Sequence, residues 1–355
     1  WSMFSVSAKP ELSTAGGSLI VVSGSDFGPP DQSYPTKSLH GTNGVYCPPD
    51  GRFLPCNENA TCTSKLVNCS VQSHSVMWCV SIESKVSCPR ARSNVYVSIV
   101  GETSAHNSNA FLSFKRPSIS HVAATDRFGL STSGSEVLTL TGTDFGNILE
   151  PNISVGYFRY NVFGGNLIFV ANSCNVTVAH KAIACLTVPG IGRNLTLNLT
   201  VVDLSSDTSA VAISYAPPSI SDLQILNGGN FSLLPTNGSR TLFNVSGASY
   251  GPTTSRGFIK IEFWYGTQRV WESARITAVD QTFVFAYSPD GVGGGFAFRI
   301  QVGGQYSQIY SGAGLSYAPP ILMSWNATAA GIKTNGGETV RFIGDNFGVI
   351  GTRFQ

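Results

Sequence analysis

The sequence predicts an all-β protein built from tandem two-sheet sandwiches. A phrase of the form Gly-x-x-aromatic-Gly occurs four times, about a hundred residues apart, as GSDFG (24–28), GTDFG (142–146), GASYG (247–251) and GDNFG (344–348). Apolar and polar residues alternate through much of the chain, as half-buried strands require. No long run has apolar residues at helical spacing, and the 38 glycines and 18 prolines also disfavour helices. A period of this length indicates an array of domains.

Proline-containing junctions separate the copies. Residues 113–117 (SFKRP) and 214–218 (SYAPP) both precede SIS, and SYAPP recurs at 316–320. Proline cannot continue a central strand and keeps the preceding residue extended, so each junction is predicted to be a short, stiff link. The predicted units are repeat 1 (1–116), repeat 2 (117–217), repeat 3 (218–318) and the start of an incomplete repeat 4 (319–355).

A strand is predicted before each phrase. The residues two and four positions before the first glycine are all apolar: Ile20 and Val22, Leu138 and Leu140, Phe243 and Val245, Val340 and Phe342. We expect a half-buried strand that enters a turn, with glycines where φ is positive or the backbone approaches closely. The aromatic ring of the phrase is predicted to fold back into the core in each repeat: Phe27, Phe145, Tyr250 and Phe347.

The acidic residues of the phrase raise the alternative of a calcium site. Asp26, Asp144 and Asp345 could supply ligands, but repeat 3 has Ala248 and no cluster of carboxylates accompanies them. The structural interpretation is therefore favoured.

Other segments also have the strand pattern. In 194–201 (NLTLNLTV) and 295–302 (GFAFRIQV) apolar residues alternate with more polar ones. Glycine-rich 291–295 lacks the lysine and the following helix of a phosphate loop, and is predicted to be a hairpin turn. Units of about a hundred residues made of short strands imply sandwiches of immunoglobulin type.

The pattern Pro-x-Ile, a glycine-rich turn, an apolar strand and Gly-x-Asp/Asn-Phe-Gly resembles the IPT/TIG domain, an immunoglobulin-like fold. The resemblance covers nearly the whole chain, and repeat 3 departs from it most, with GASYG and an insertion before its strand. Such domains occur in receptor ectodomains, surface proteins, some transcription factors and some starch-active enzymes. The fold alone does not choose among these functions.

Composition narrows the choice. The net charge is +2 and only 12% of residues are charged, so the chain has no basic stripe for nucleic acid. No window of eighteen apolar residues predicts a membrane span within this segment. The first residues do not resemble a signal peptide, and repeat 4 is too short to bury a sandwich core. We therefore expect a segment of a longer array, or strands that complete a sandwich with another chain.

Two disulfides are predicted from an internal alignment. The segments 69–79 (CSVQSHSVMWC) and 174–185 (CNVTVAHKAIAC) align, and both precede the last strands of their repeats. The same intra-repeat bond is predicted in each, Cys69–Cys79 and Cys174–Cys185. The even number of cysteines, eight, is typical of a secreted chain.

The other four cysteines lie in repeat 1. Cys47, Cys56, Cys62 and Cys88 allow three pairings, of which Cys56–Cys62 with Cys47–Cys88 is preferred. A zinc site is the alternative, but the chain lacks Cys-x₂-Cys and a paired histidine.

Ten Asn-x-Ser/Thr sequons predict N-linked glycans: Asn59, Asn68, Asn152, Asn175, Asn194, Asn198, Asn230, Asn237, Asn244 and Asn326. Asn194 and Asn198 lie on the polar side of their strand. Asn230 and Asn237 lie in a Gly/Asn-rich loop, and Asn244 is expected to face solvent because it follows Phe243 out of the core.

No enzymatic site and no cofactor are predicted. The histidines, His40, His74, His106, His121 and His180, are scattered and are expected at the surface or in loops. Glu262 lies beside aromatic residues, as in some glycoside sites, and Trp264 and Trp271 could stack on a sugar. The alternation of Ile261, Phe263 and Tyr265 with Glu262 and Trp264 instead predicts core and surface positions.

A polar, cysteine-containing insertion interrupts repeat 1 at about 29–66. Insertions of this length are functional or disordered, and the cysteines favour an ordered loop. It is the candidate for a partner contact through Tyr46, Arg52, Phe53 and Leu54. The alternative is that it covers a sheet edge.

These features together predict a non-enzymatic, glycosylated extracellular protein from the secretory pathway of a eukaryote. The leading function is a building block of a surface appendage or filament. Its expected partners are other copies of the chain, neighbouring TIG-type domains and its own glycans. The alternatives are a receptor or adhesion ectodomain that binds a protein or glycan, and an accessory module of a carbohydrate-active enzyme.

Overall fold

The computed structural model describes residues 3–8, 11–30, 67–81, 83, 93–94, 98–99, 102–103, 111–150, 152–238, 241–266, 268–272, 275–327, 332 and 334–349. Within these ranges nearly all regular structure is antiparallel strand, and the helical element is a short 3₁₀ helix, Thr253–Phe258. The prediction of an all-β protein with tandem sandwiches is confirmed.

Repeat 1 contains a four-stranded sheet in the order β1-β2-β4-β3, and the short strand pairs β5-β8 and β6-β7. Its strands are β1 (Met3–Ala8), β2 (Leu19–Gly24), β3 (Val67–Ser73), β4 (Val76–Val80), β5 (Ser93–Asn94), β6 (Ser98–Ile99), β7 (Glu102–Thr103) and β8 (Phe111–Leu112).

Repeat 2 contains a four-stranded sheet, β13-β14-β10-β9, and a five-stranded sheet, β12-β11-β15-β16 with β17 also paired to β15. Its strands are β9 (Ser118–Ala123), β10 (Val137–Thr143), β11 (Ile153–Val162), β12 (Gly165–Val170), β13 (Asn172–Val178), β14 (Ala182–Leu186), β15 (Leu195–Val201), β16 (Leu204–Ser205) and β17 (Ala212–Ile213).

Repeat 3 has the same two sheets, β18-β19-β23-β22 and β21-β20-β24-β25 with β26 paired to β24. Its strands are β18 (Ser219–Ile225), β19 (Leu242–Ala248), β20 (Ile259–Tyr265), β21 (Gln268–Glu272), β22 (Arg275–Val279), β23 (Phe283–Tyr287), β24 (Gly294–Val302), β25 (Gln305–Tyr306) and β26 (Tyr310–Ser316). Repeat 4 contributes the pair β27 (Ile321–Ala327) and β28 (Val340–Asp345).

The recurring phrase is a turn with two left-handed residues. Its third residue has positive φ in all four copies: Asp26 (64°), Asp144 (62°), Ser249 (63°) and Asn346 (59°). The fifth residue, always glycine, also has positive φ, between 84° and 93°. Asp, Asn and Gly tolerate this region best, which accounts for the composition of the phrase. The calcium alternative compared Ala248 and Asp345 with Asp26 and Asp144. Ala248 and Asp345 are the second residues of their phrases, however, whereas Asp26 and Asp144 are third residues.

The first glycine of the phrase is required by a close backbone approach. A Cβ on Gly142 would lie 1.9 Å from the carbonyl oxygen of Ser118 and 2.7 Å from Cζ of Phe145. Gly247 and Gly344 meet the first strand of their own repeats at the same distance. The ring therefore folds back beneath the glycine as predicted, and Phe27, Phe145 and Tyr250 are buried.

The repeated junctions have a structural cause as well. The aromatic residue of each junction forms an isolated parallel bridge with a leucine far upstream in its own repeat: Leu12 with Phe114, Leu130 with Tyr215, and Leu234 with Tyr317. Each bridge is closed by two backbone hydrogen bonds of 2.8–3.0 Å. The residues just before each link are therefore held by hydrogen bonds to their own repeat.

The alternating residues form the core. Ile20, Leu138, Phe243 and Phe298 are at most 2% exposed. One apolar cluster lies in repeat 1, and a second runs continuously through repeats 2 and 3. In repeat 4 the prediction fails for Phe342, which is 59% exposed, because among the described strands β28 pairs only with β27 and no second sheet faces it.

The prediction of a hairpin at 291–295 is wrong. This segment connects β23 to β24, which belong to different sheets. Gly291 is required there because a Cβ would lie 2.5 Å from the ring of Tyr317, whose hydroxyl donates a hydrogen bond of 2.9 Å to the carbonyl oxygen of Pro289. Segment 291–295 is thus a connection between the two sheets, and its glycine allows it to pack against the junction tyrosine, Tyr317.

Candidate functional site: the joints between repeats

Polar side chains of consecutive repeats meet where the loop after Leu12 touches repeat 2. Asp144, the third residue of the phrase, is 6% exposed. Its Oδ1 atom accepts hydrogen bonds from the backbone N–H of Thr14 (2.9 Å), the hydroxyl of Ser13 (3.1 Å) and the hydroxyl of Thr14 (3.3 Å). The turn that closes a strand within repeat 2 therefore also binds repeat 1.

His180 continues this network. It lies in the turn between β13 and β14, in agreement with the prediction of a loop residue, but it is buried and not at the surface. Its Nδ1 lies 2.8 Å from the hydroxyl oxygen of Thr14, and its Nε2 lies 2.9 Å from Oε1 of Glu83. Asn147 donates a second hydrogen bond, 2.6 Å long, to the same Glu83 oxygen. Repeat 1 thus supplies two hydroxyls, a backbone N–H and a carboxylate, and repeat 2 supplies an imidazole, a carboxylate and an amide.

The Thr14 hydroxyl permits two protonation patterns. With neutral His180, Nε2–H donates to Glu83, and Nδ1 accepts the hydroxyl proton. With protonated His180, Nδ1–H donates to the Thr14 oxygen, whose own proton then turns to Asp144. Both patterns keep the Thr14–His180 and His180–Glu83 hydrogen bonds, and the Thr14 hydroxyl donates to Asp144 only in the second.

Glu83 has a lowered pKa. The hydrogen bond from His180 is the largest cause, and the amide of Asn147 and the charge of His180 act in the same direction. Partial burial opposes them by raising the pKa. The contacts across the joint therefore favour the ionised carboxylate.

A second joint links repeats 2 and 3 through hydrogen bonds between neutral groups. The hydroxyl of Thr132 donates to Oε1 of Gln281 (2.5 Å), and Nε2 of Gln281 donates to the backbone oxygen of Thr132 (2.9 Å). Nε2 of Gln305 donates to the backbone oxygen of Tyr215 (2.8 Å). Apolar packing adds to these bonds. Ile191 is 2% exposed, and a Cβ on Gly251 would lie 2.2 Å from its Cγ2 atom.

A pair of buried tyrosines positions Ile191. Tyr157 donates to the hydroxyl oxygen of Tyr215 (3.0 Å), which donates to the carbonyl oxygen of Val188 (2.6 Å). The N–H of Val188 donates back to Tyr157 (3.0 Å). Burial raises the pKa of both tyrosines, so both remain protonated donors. The segment that reaches repeat 3 is therefore held by the core of repeat 2.

The two joints are built from equivalent positions. Thr14 and Thr132 both lie two residues after the leucine of the parallel bridge. The carbonyl oxygens of His180 and Gln281 both accept the N–H of the aromatic residue of the phrase. Sequence reasoning missed these residues because the fold brings together short polar segments that are more than a hundred positions apart. Thr14 and Thr132 both lie ten residues before the first glycine of their phrase, which was the available signal, whereas His180 and Gln281 follow that glycine by 38 and 34 residues.

The Thr14–His180–Glu83 order resembles that of a hydrolytic triad. Thr14 is fully buried, however, so its hydroxyl is inaccessible to a substrate in this arrangement. Within the described ranges no three His, Cys, Asp or Glu side chains are grouped to hold a metal ion. The geometry suits attachment between repeats.

The two predicted disulfides are present. Cys69–Cys79 joins β3 to β4, and Cys174–Cys185 joins β13 to β14. The predictions for Cys47, Cys56, Cys62 and Cys88, and for the contact residues Tyr46, Arg52, Phe53 and Leu54, lie outside the described residues.

The sequons differ in accessibility. Six asparagines are exposed: Asn152, Asn175, Asn194, Asn230, Asn237 and Asn326. Asn198 is half-buried, and its amide donates to the backbone oxygen of Ser206 (2.8 Å). The expectation that Asn244 faces solvent is wrong: it is half-buried between neighbouring strands, and its Oδ1 is buried without a hydrogen-bond partner among the described residues. Asn59 and the side chain of Asn68 are outside the described part.

Two residues of β20 also differ from prediction. Glu262 is 2% exposed, because Arg299 covers it with a 2.8 Å ion pair and itself lies 4.4 Å from the ring centre of Trp264. Tyr265 is 62% exposed where a core position was expected. Trp271 lies opposite Phe263 in the strand register, on a different strand from Trp264.

Comparisons with known proteins leave the family open. No family model and no curated protein matches the chain. Among solved structures, the chain is similar to the FN1–FN3 domains of chicken CNTN1 (11% identity, 87% of this chain and 96% of that chain, TM-score 0.22). It is also similar to invasin, a bacterial integrin-binding protein (11%, 98% and 68%, 0.25), and to SGBP-B of Bacteroides uniformis (12%, 87% and 99%, 0.22). Similarity at this level adds nothing to the fold already described and carries no function.

In the part of the chain described, no helix is both long and apolar enough to cross a membrane.

Proposed function

We propose that the chain is a non-enzymatic structural protein, a stiff array of IPT/TIG-type sandwiches in an extracellular appendage or filament. The observation that carries the proposal is the pair of joints. Each one hydrogen-bonds a threonine loop of one repeat to the hairpin turn that flanks the phrase of the next repeat. Contacts of this kind limit rotation between domains, whereas a flexible tether would leave the repeats independent.

The recurring turn supports the assignment to IPT/TIG-type repeats. All four copies combine a left-handed third residue with a left-handed glycine, and in repeats 2, 3 and 4 the aromatic ring folds against the first glycine. The four segments that resemble one another in sequence therefore also share one backbone conformation.

Disulfides and sequons support the extracellular placement. Cys69–Cys79 and Cys174–Cys185 require an oxidising environment. Six sequon asparagines are exposed, as N-linked glycans require, and this favours the secretory pathway of a eukaryote.

Electron microscopy of the native, unfractionated material tests the proposal. Long rods of uniform width with an axial repeat of a few domains are expected. Isolated short strings of beads that end at a membrane or at a larger globule would contradict it and favour a receptor or adhesion ectodomain.

A further inference from the structure

Strand β12 lies at the edge of the five-stranded sheet of repeat 2. The sheet order is β12-β11-β15-β16, so β11 pairs with one side of β12 and no described strand pairs with the other. Repeat 2 lies between repeats 1 and 3, and among the described residues no backbone hydrogen bond from either neighbour reaches β12. The open side of this strand therefore belongs to the body of the array.

The open side presents backbone groups of alternate residues. The N–H of Ala171, which directly follows β12, donates to the carbonyl oxygen of Val155 on β11. Because residues of an antiparallel ladder bond alternately to one side and to the other, the N–H and C=O groups of Ile168 and Val170 point away from β11. An extended strand is the partner that binds such a row of donors and acceptors.

The same two residues carry exposed apolar side chains on the outer face of the sheet. Ile168 is 61% exposed and Val170 is 54% exposed. Phe158 lies opposite Ile168 on β11, and the ring of the exposed Tyr160 lies 5.1 Å from the ring of Phe158, centre to centre. Farther from the edge, the residues of β15 on this face are polar: Thr196, Asn198 and Thr200. The apolar part of the face is thus confined to the open edge.

This edge lacks the charges with which sheet edges usually avoid other strands. No Asp, Glu, Lys or Arg occurs in 160–180, and neither Asn161 nor Asn166 begins a sequon, so the edge strand itself carries no site for an N-linked glycan. The counterpart in repeat 3, β21, has the same place in its sheet and contains Arg269 and Glu272. Repeat 2 therefore has a neutral edge where repeat 3 has a charged one.

We propose that β12 of one copy pairs antiparallel with β12 of a second copy about a two-fold axis, so that two arrays associate side by side. The backbone groups of Ile168 and Val170 extend the ladder into the second sheet, and their side chains form one apolar strip with Phe158 and Tyr160 of both copies. The inference rests on the proposed structural function and adds the lateral contact between arrays.

The chemistry of the edge favours a second copy as its partner. In a two-fold contact the same surface patch is used by both copies, so a charged edge would meet like charges, whereas β12 has none. Isoleucine and valine also favour the extended conformation. The insertion of repeat 1 at about 29–66 is the other candidate to cover a sheet edge, and a chain that used it in this way would remain monomeric.

Sedimentation equilibrium of the full chain over a wide range of concentrations tests the proposal. We expect a reversible dimer. A two-fold axis near the middle of β12 places position 168 of one copy directly opposite or diagonal to position 168 of the other. Ile168→Lys and Ile168→Glu should therefore each weaken association roughly tenfold or more, because like charges meet. An equal mixture of the two variants should associate more strongly than either variant alone.

Val137→Lys is the matched control for Val170→Lys. Both valines belong to repeat 2 and are 54% exposed, but Val137 lies on β10, which has β9 on one side and β14 on the other. Val170→Lys should weaken association and Val137→Lys should leave it unchanged. Unchanged thermal unfolding of each variant establishes that the fold persists. In the wild-type chain, hydrogen exchange of the β12 amides should slow as concentration rises.

Three results would overturn the proposal: a wild-type chain that is monomeric at every concentration, equal effects of Val137→Lys and Val170→Lys, or a mixture of the two Ile168 variants that fails to recover. If rods are seen in the native material after any of these results, the structural function stands and only this contact is wrong. If the chain dimerises through β12 but the native material shows isolated short strings of beads, the contact stands and the structural function is wrong.

Discussion

The Oδ1 atom of Asp144 lies 2.9 Å from the backbone nitrogen of Thr14, although 130 positions separate the two residues. The same aspartate adopts the left-handed conformation that the turn of repeat 2 needs. One side chain therefore meets a local requirement and a requirement between repeats. Ser249 has the same backbone conformation where the neighbouring repeat is held by Gln281 instead. The turn therefore has the same backbone conformation in repeats 2 and 3, and the side chain of its third residue differs with the contact made to the preceding repeat.

Replacing Asp144 by alanine is expected to loosen the joint between repeats 1 and 2. The substitution removes the acceptor of the buried Thr14 N–H, which costs about 1–3 kcal/mol when no partner replaces it. Scanning calorimetry of the full chain should show a lower transition temperature for repeats 1 and 2. Their transition can be resolved because a multi-domain chain unfolds in several steps.

Asp26→Ala is the matched control for Asp144→Ala. It carries the same left-handed strain, with φ of 64° against 62°, but among the described residues its side chain hydrogen-bonds to the adjacent Ser25 and to no neighbouring repeat. The comparison therefore isolates the contacts across the joint, provided that both variants are measured at low concentration. Equal losses of stability would mean that the aspartate acts only through its backbone.

The joint is expected to weaken in acid because of Glu83. Its pKa is held below the ordinary value of 4.5, chiefly by the hydrogen bond from His180. A lowered folded-state pKa means that the contribution is present above the unfolded value and is lost as pH falls through the folded value. Distances between spin labels on repeats 1 and 2 should broaden below about pH 4.5.

Glu83→Gln is expected to remove that part of the acid dependence and to broaden the distances already at neutral pH. Glu11→Gln changes an exposed carboxylate of the same repeat and serves as the control. A Glu83→Gln chain that responds to acid as steeply as the wild type would exclude Glu83 as the group that titrates.

Gly142→Ala is expected to destabilise repeat 2 far more than the addition of one methyl group suggests. The new Cβ would meet the backbone oxygen of Ser118 at 1.9 Å, which no side-chain movement can relieve. We expect a loss above about 4 kcal/mol or failure of repeat 2 to fold. Gly164→Ala, at φ of 83° with open space around it, should cost only about 1–2 kcal/mol. Chemical denaturation followed by near-ultraviolet circular dichroism compares the two.

Removing Cys174–Cys185 by a double alanine substitution is expected to destabilise repeat 2 by about 2–3 kcal/mol, because the bond closes a short loop in the unfolded chain. The two cysteines are 11 positions apart. Single substitutions would add a free thiol, so the double variant is the cleaner comparison. Calorimetric transitions of repeat 3, which contains no cysteine, should stay in place, and a shift there would show that the disulfide acts through the second joint.

The strands and the turn could be predicted because they depend on local residues. The alternation around Leu138 and Leu140 and the ring of Phe145 fix their own burial through the period of two and the tight turn. The disulfides were predictable because two aligned segments have cysteines at the same places. Glu262 was placed at the surface by the same alternation, but Arg299 on the adjacent strand covers it.

The joints could not be predicted because they depend on distant partners. His180 belongs to a short turn with no pattern of its own, and its burial comes from Thr14 and Glu83 in another repeat. Asn244 has an apolar strand neighbour on each side in sequence, and its burial follows from its central position in the sheet order. Such contacts follow from how strands and repeats are placed relative to one another, and local patterns in the sequence do not reveal that placement.

Glycan occupancy should separate Asn194 from Asn198. Both belong to an Asn-Leu-Thr sequon, so the acceptor sequence is matched and the structural environment differs. Asn194 is exposed, whereas Asn198 is half-buried and its amide holds the Ser206 carbonyl at 2.8 Å. A glycan on Asn198 would compete with that bond and crowd the neighbouring strand, so chains that carry it should fold less well and be depleted. Enzymatic deglycosylation in heavy-oxygen water, followed by mass spectrometry of the protein from its native source, should find Asn194 well occupied and Asn198 poorly occupied. Equal occupancy would mean that this face of β15 is more open than the structure describes.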